Sequence, residues 1–351
     1  MYQLLAIFLF LLLTAGSTPV TSDNARQLDT TRPLPVEPEP QPVVISWVGD
    51  IHLGQSVGEM GLLKGMDYVL ADVSDSLLSD SLTVGNLECS ASTIGRAEKG
   101  KEYTFQAPPG LLPGLRENGI ELVSLANNHA LDFGKPAMLE MLDHLRSAGL
   151  LYAGAGPDIR TASAPVYVTI AGQTVAILCF SRVVPAGWQA GRTSPGIAGC
   201  LAPRLLLERI AEARDSADIV AVYVHWGKEK MSAPEDYVRL LAYRCVEAGA
   251  DLVVGSHPHV LRGFEFYQGR LIAYSLGNFV FTNRDGRASM ILRTAFLGDS
   301  LVSASVVPCR INMLRPELET NEAGRQDIFR HLTAISVNAV VDSSGTIRLR
   351  D

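Results

Sequence analysis

The chain has 351 residues, 47% of them hydrophobic, enough to bury a large core in one α/β domain or two smaller ones. Thirty Lys and Arg against 37 Asp and Glu give a net charge of -7, with no Lys/Arg cluster anywhere. That balance argues against a nucleic-acid partner, because neutralising a phosphate backbone needs a basic face.

The first element is apolar. Leu4 to Leu13 is an unbroken run of ten residues, followed by the small residues Thr14, Ala15, Gly16 and Ser17. A spanning helix needs about 20 apolar residues, so residues 1–17 read as a signal peptide, cleaved or kept as a membrane anchor. Residues 18–42 form a linker in which Pro33, Pro35, Pro38, Pro40 and Pro42 favour an extended, solvated polyproline spacer. The expectation is an extracytoplasmic domain over residues 43–351, secreted or held by its N-terminus.

From Val43 one pattern recurs: a β-branched or leucine-rich run, a polar cluster, then a helical stretch. VVISWV ends in Gly49-Asp50-Ile51-His52, SLTV in Gly85-Asn86-Leu87-Glu88, and ELVSLA in Asn127-Asn128-His129. DIVAVYV ends in His225-Trp226-Gly227 and DLVV in Gly255-Ser256-His257-Pro258-His259. PAMLEMLDHLRSAG and APRLLLERIAEARDSA have helical spacing and the expected breaks. This alternation predicts a buried sheet covered by helices, with the site beyond the carboxyl ends of its strands. All five polar clusters fall there.

Five of the seven histidines (His52, His129, His225, His257, His259) sit in these clusters, whereas His144 lies in a predicted helix and His331 in the tail. Imidazole and carboxylate together suit Zn, Mn or Fe, and a pair of metals needs a bridging carboxylate with ligands on both sides. Asp50 and His52, two apart on an extended strand end, can face one metal, and His257 and His259 share that spacing. Glu88 is the candidate bridge. Cys89, Cys179, Cys200, Cys245 and Cys309 are odd in number and contain no CxxC, so they form neither a disulfide framework nor a zinc cluster. Asn86 reads as a brace for the Glu88 turn. Trp226 is a pocket wall or a core ring, Asn278 a site residue or a turn cap, and Lys101 and Arg182 are anion contacts or solvated charges.

GDIHLG, GNLECS, SLANNHALDFG, LYAGAG, HWGKE, GADLVVGSHPHV and YSLGNFVF, in this order and spacing from about Val43 to Phe281, resemble the CapA-type poly-γ-glutamate capsule synthesis proteins of the calcineurin-like metallophosphoesterase superfamily. The resemblance implies a four-layer α/β/β/α sandwich with two divalent metal ions. Matched residue by residue, it implies Asp50, His52 and His259 around one metal, Asn128, His225 and His257 around the other, and Glu88 between them. His129 would be the general acid or transition-state donor, oriented by Asp132. The departures are Ser256 in place of a histidine, Cys89 in place of a small residue and Lys230 in place of an aromatic.

After Phe281, SMILRTAFL and LVSASVVPCRINML read as an antiparallel hairpin turning at Gly298-Asp299-Ser300, followed by a helix (GRQDIFRHLTAIS) and a last strand. Two functions are implied. One is a hydrolase in capsule biosynthesis at the cell surface, with metal-activated water attacking a phosphoester or an amide such as a γ-glutamyl bond. The other is a non-catalytic accessory of a membrane complex that makes or exports poly-γ-glutamate. Partners would be an anionic substrate or poly-γ-glutamate itself, together with other membrane capsule-synthesis proteins.

Overall fold

The computed structural model describes residues 41–350, apart from the side chains of residues 283–285. The signal or anchor segment and nearly all of the proline-rich linker lie outside the described residues. Among the described residues no helix is long and apolar enough to cross a membrane.

Strand residues alternate between two apolar environments, and this builds the layers. In Ile219–His225, Ile219, Ala221 and Tyr223 pack with Ile45 and Trp47 of the other sheet, while Val220, Val222 and Val224 pack with Leu206 and Val238 of covering helices. Gln173–Ser181 alternates in the same way, Val175, Ile177 and Cys179 inward and Ala176, Leu178 and Phe180 outward. Both faces being apolar, these strands read as near-continuous hydrophobic runs. The covering helices show the complementary stripe: Leu206, Ile210 and Ala213 in Arg204–Arg214, and Val238, Leu241, Ala242 and Cys245 in Asp236–Glu247. On the opposite side Met138, Met141, Leu142 and Leu145 of Lys135–Ser147 close a third apolar layer with Ile51, Leu87 and Val123. Three apolar interfaces separate four layers: helices, sheet, sheet, helices.

The first sheet runs Arg315–Leu318, Ser300–Met313, Asn283–Leu297, Val43–Ile51, Leu82–Leu87, Leu122–Ser124, Leu151–Ala153, with Asn278–Val280 also pairing Val43–Ile51. Its last four strands are parallel. The expected hairpin is its antiparallel half, joined through Val43 opposite Phe296. The second sheet runs Leu261–Tyr267, Arg270–Leu276, Leu252–Ser256, Ile219–His225, Gln173–Ser181, Val166–Ile170. The expected C-terminal helix is Glu322–Ile335; after it the chain forms two short paired strands, Ala339–Val341 and Ile347–Leu349. The parallel strands of both sheets end at one edge of the sandwich, and that edge carries the site.

Candidate metal centre

Strand register sets the first row of the site. Asp50 is still within its strand, with Asn86 opposite on one side and Asn278 on the other. Asn86 Nδ2 donates to Asp50 Oδ1 at 2.8 Å, and Asn86 Oδ1 accepts from Asn127 Nδ2 at 3.0 Å. Asn86 therefore braces Asp50 as well as its own turn. Asn278 Oδ1 accepts from His259 Nδ1 at 2.8 Å, which makes Asn278 a site residue and not merely a turn cap.

Glu88 is the hub. Its carboxylate is fully buried, and neither oxygen makes a hydrogen bond. Around Oε1 lie His225 Nε2 at 3.6 Å, His259 Nε2 at 3.9 Å and His129 Nε2 at 4.0 Å. Asp50, Glu88 and His259 offer ligand atoms within 4.8 Å of one another, and so do Glu88, His225 and His257. Glu88 belongs to both groups, the arrangement a bridging carboxylate requires. Asn128 joins the second group through Oδ1, 2.8 Å from His225 Nε2. Ser256 Oγ lies 3.0 Å from the outer nitrogen of that ring, His225 Nδ1, where a second partner fixes a ligand's tautomer.

Unpartnered atoms provide the test of fit to metal. Both nitrogens of His52, both oxygens of Glu88 and His257 Nδ1 are buried with no hydrogen bond, and Asp50 Oδ2, also without one, has the His259 Nδ1 nitrogen at 3.3 Å. Leaving such groups unpaired costs about 1–3 kcal/mol each, so a cluster of them calls for a cation. His257 and His259 also hold left-handed φ angles of 94° and 57°. Non-glycine residues rarely adopt that conformation, and it is strain of the kind found at functional sites. His52 lies outside both groups; its ring packs against Phe105 at 4.2 Å and Phe281 at 5.2 Å. Glu229, which the sequence did not single out, lies within 4.8 Å of His257 and His259 in ligand atoms.

Charge follows from the same packing. Burial raises Glu88 well above the carboxylate range, and the neighbouring Asp50 adds to the rise. Burial alone would lower His259, but Glu88 and Asp50 outweigh it and hold the ring up at about 10. Burial lowers His52 and His257 to about 4 and takes His225 well below the usual range, so these rings stay neutral and ready to donate a lone pair. Burial also pushes the Cys89 thiol up to about 12, which leaves it protonated beside the site.

His129 stands apart from the metal groups, on the wall of the site. Its Nδ1 donates to Asp132 Oδ2 at 2.7 Å, and its ring stacks on Phe105 with centroids 4.2 Å apart. Lys101 proves to be neither a solvated charge nor an open anion contact: its ammonium bonds Asp132 and the Asn128 carbonyl. Arg182 lies over Tyr237 in a separate pocket, and Trp226 is a core ring whose Nε1 donates to the Tyr274 carbonyl at 2.9 Å. Above the metal groups opens a cleft of about 250 Å³ walled by Phe105, Phe281, His129 and His259, with Lys230 and Arg287 at its rim.

Residues 44–283 match the family model described as "Bacterial capsule synthesis protein PGA_cap". The chain is 32% identical over 304 residues to the capsule biosynthesis protein CapA of Bacillus anthracis, covering 84% of this chain and 74% of that protein. It is 35% identical over 238 residues to the PGA biosynthesis protein CapA of Bacillus subtilis, covering 67% of this chain and 62% of that protein. Among solved structures it is similar to a phosphatase from Mycoplasma pneumoniae, with a TM-score of 0.51 and 10% identity over 79% of this chain and 95% of that one. At that identity the likeness is one of fold, the four-layer sandwich described above.

Proposed function

The chain belongs to the bacterial capsule synthesis protein family, and from that premise we propose that it is a metal-dependent hydrolase of poly-γ-glutamate capsule biosynthesis, acting at the cell surface on a phosphoester or a γ-glutamyl amide. The observation that carries this reading is the setting of Glu88, a buried carboxylate without hydrogen bonds, ringed by three imidazole nitrogens at 3.6–4.0 Å. Asp50, Glu88 and His259 would hold one divalent ion, and Glu88, Asn128, His225 and His257 the other, from the set Mn, Zn and Fe that such donors suit; His52, whose ring lies outside both groups, would join the first only by moving toward it. Bound there, the ions would supply Lewis acidity and an activated water.

The chain's own residues bind, orient and move a proton. Lys230 and Arg287 in the cleft lining, against the single carboxylate of Glu229 there, present positive charge to an anionic substrate. Phe105 and Phe281 line the cleft with apolar rings, which shed water from the reacting groups. With Nδ1–H tied to Asp132, His129 turns Nε2 toward Glu88; once Nε2 has taken up a proton from solvent, the imidazolium delivers that proton to the leaving group and returns to the Nδ1–H form. Asp132 also accepts from the Phe105 amide at 2.7 Å, so the carboxylate and the ring it steers are fixed together.

The test pairs polymer production in cells with hydrolysis in vitro across phosphoesters and γ-glutamyl peptides. His129→Ala should keep its metal and lose activity by roughly 10²–10⁴-fold, the usual scale for general acid help, and polymer should fall with it. Asp50→Ala should lose metal, activity and polymer together. Normal polymer with His129→Ala but not with Asp50→Ala would assign the metals to structure or binding, the role of an accessory in a membrane complex, and would end the hydrolase reading.

A further inference from the structure

Lys101 lies in the irregular segment between Ala91 and Gln106 and reaches across to the Asn128–His129 turn. Its ammonium bonds Asp132 Oδ1 and the Asn128 carbonyl, sits 3.1 Å from His129 Nδ1, and lies 4.8 Å above the Trp188 ring. The side chain is only 20% exposed, and the carboxylate it meets is fully buried. Asp132 Oδ2 takes the Phe105 amide and His129 Nδ1, both at 2.7 Å, so Lys101 completes the carboxylate's set of donors.

The donor and acceptor inventory restricts what His129 can be. An ammonium has no acceptor, and an ionised carboxylate can only accept. Nδ1 lies between the two, 2.7 Å from Asp132 Oδ2 and 3.1 Å from the ammonium; the shorter contact gives it a hydrogen, since a bare Nδ1 would set its lone pair against those of the carboxylate, and Nε2 is the atom left to face the cleft. Without a cation at Oδ1, the buried Asp132 charge would be unbalanced, and its carboxylate would turn to find another donor. That turn would free the ring.

We propose that Lys101 is a positioning residue: by clamping Asp132 and the Asn128 carbonyl it holds His129 as the Nδ1–H tautomer, with Nε2 presented toward Glu88. It is not a substrate contact; the cations lining the cleft are Lys230 and Arg287. The effect on turnover rests on the hydrolase reading, whereas the tautomer does not.

The experiment uses the full chain, metal-free and zinc-loaded, with ¹⁵N-labelled histidine, comparing wild type with Lys101→Met, Lys101→Gln and Lys101→Arg. A long-range proton–nitrogen spectrum, with His129 assigned by its loss in His129→Gln, should show Nδ1–H in wild type and Lys101→Arg. Lys101→Met and Lys101→Gln should show Nε2–H or a mixture. On bis(p-nitrophenyl) phosphate, kcat should fall about 10–100-fold in these two variants, the scale of losing an orienting partner, with KM held and partial rescue by Lys101→Arg. If Lys101→Met does not fold, Lys101→Gln, which keeps a donor without the charge, carries the comparison. An unchanged His129 spectrum in a folded neutral variant overturns the proposal, and so does a rise in KM with kcat retained. If wild type does not hydrolyse the probe, the hydrolase reading fails while the spectrum still decides the role of Lys101.

Discussion

Each ionisable group of the cluster meets the same two forces, burial and the charge of its neighbours, with opposite results. At His259 two carboxylates defeat burial and keep the ring protonated, with a pKa of about 10; at His52 and His257 burial wins, at about 4. Glu88 is driven up chiefly by its own burial. The proton on His259 is a stand-in for a cation, and a divalent ion must expel it. Metal affinity should therefore rise with pH through the neutral range. Calorimetry of Mn or Zn binding in two buffers of different ionisation enthalpy should show net release of about one proton or more at pH 7, and binding with no proton release would refute the account. The metal-free chain has a second signature. Two rings depressed from 6.5 to about 4 bind fewer protons folded than unfolded, so they withdraw stability as pH falls from about 6.5 to about 4.

The elements that carry these residues need close backbone approach. Asp50 sits where Val43–Ile51 meets Asn278–Val280, and its amide donates to the Gly277 carbonyl at 2.9 Å. A Cβ on Gly49 would fall 1.9 Å from that same carbonyl oxygen, which is backbone and cannot swing away. Gly49→Ala should lower stability by about 1–3 kcal/mol, the range for overpacking, and release metal because Asp50 moves with the strand. Thermal melts with and without Mn check it; a variant with wild-type metal-induced stabilisation would show that the strand junction does not set the site. The strand ends themselves were legible in the sequence, because a β-branched run followed by Asp50, Glu88, Asn128, His225 or His257 repeats five times. The four-layer arrangement came from the resemblance, since alternation along Ile219–His225 shows two buried faces without saying what covers each. Lys101, Asn278 and Glu229 stayed ambiguous or unseen because their roles depend on long-range closure: Lys101 meets Asp132 from 31 residues away, and Asn278 meets His259 only after the Leu261–Leu276 hairpin folds back.

At the scale of the whole molecule, the entry of the chain and the chemistry lie at opposite ends of one strand. The described fold begins just before Val43, and the nine residues to Ile51 span about 26 Å at the usual rise per residue, with Asp50 at the far end. The site draws the groups named above from the ends of strands in both sheets, and the N-terminal 40 residues lie outside the described chain. Their composition suits another task. The apolar run Leu4–Leu13 and the proline-rich spacer predict export, with the sandwich outside the cytoplasm, and no helix among the described residues offers a membrane crossing of its own. Two forms of the chain separate the roles. The full chain should appear in the extracytoplasmic or membrane fraction, and N-terminal sequencing of that form distinguishes cleavage near Gly16 or Ser17 from retention as an anchor. A chain starting at Gln41 should stay in the cytoplasm yet take up the same amount of Mn or Zn and melt at the same temperature. Finding the full chain soluble in the cytoplasm would remove the surface location, and loss of metal binding in the shortened chain would show that the N-terminal segment takes part in the site after all.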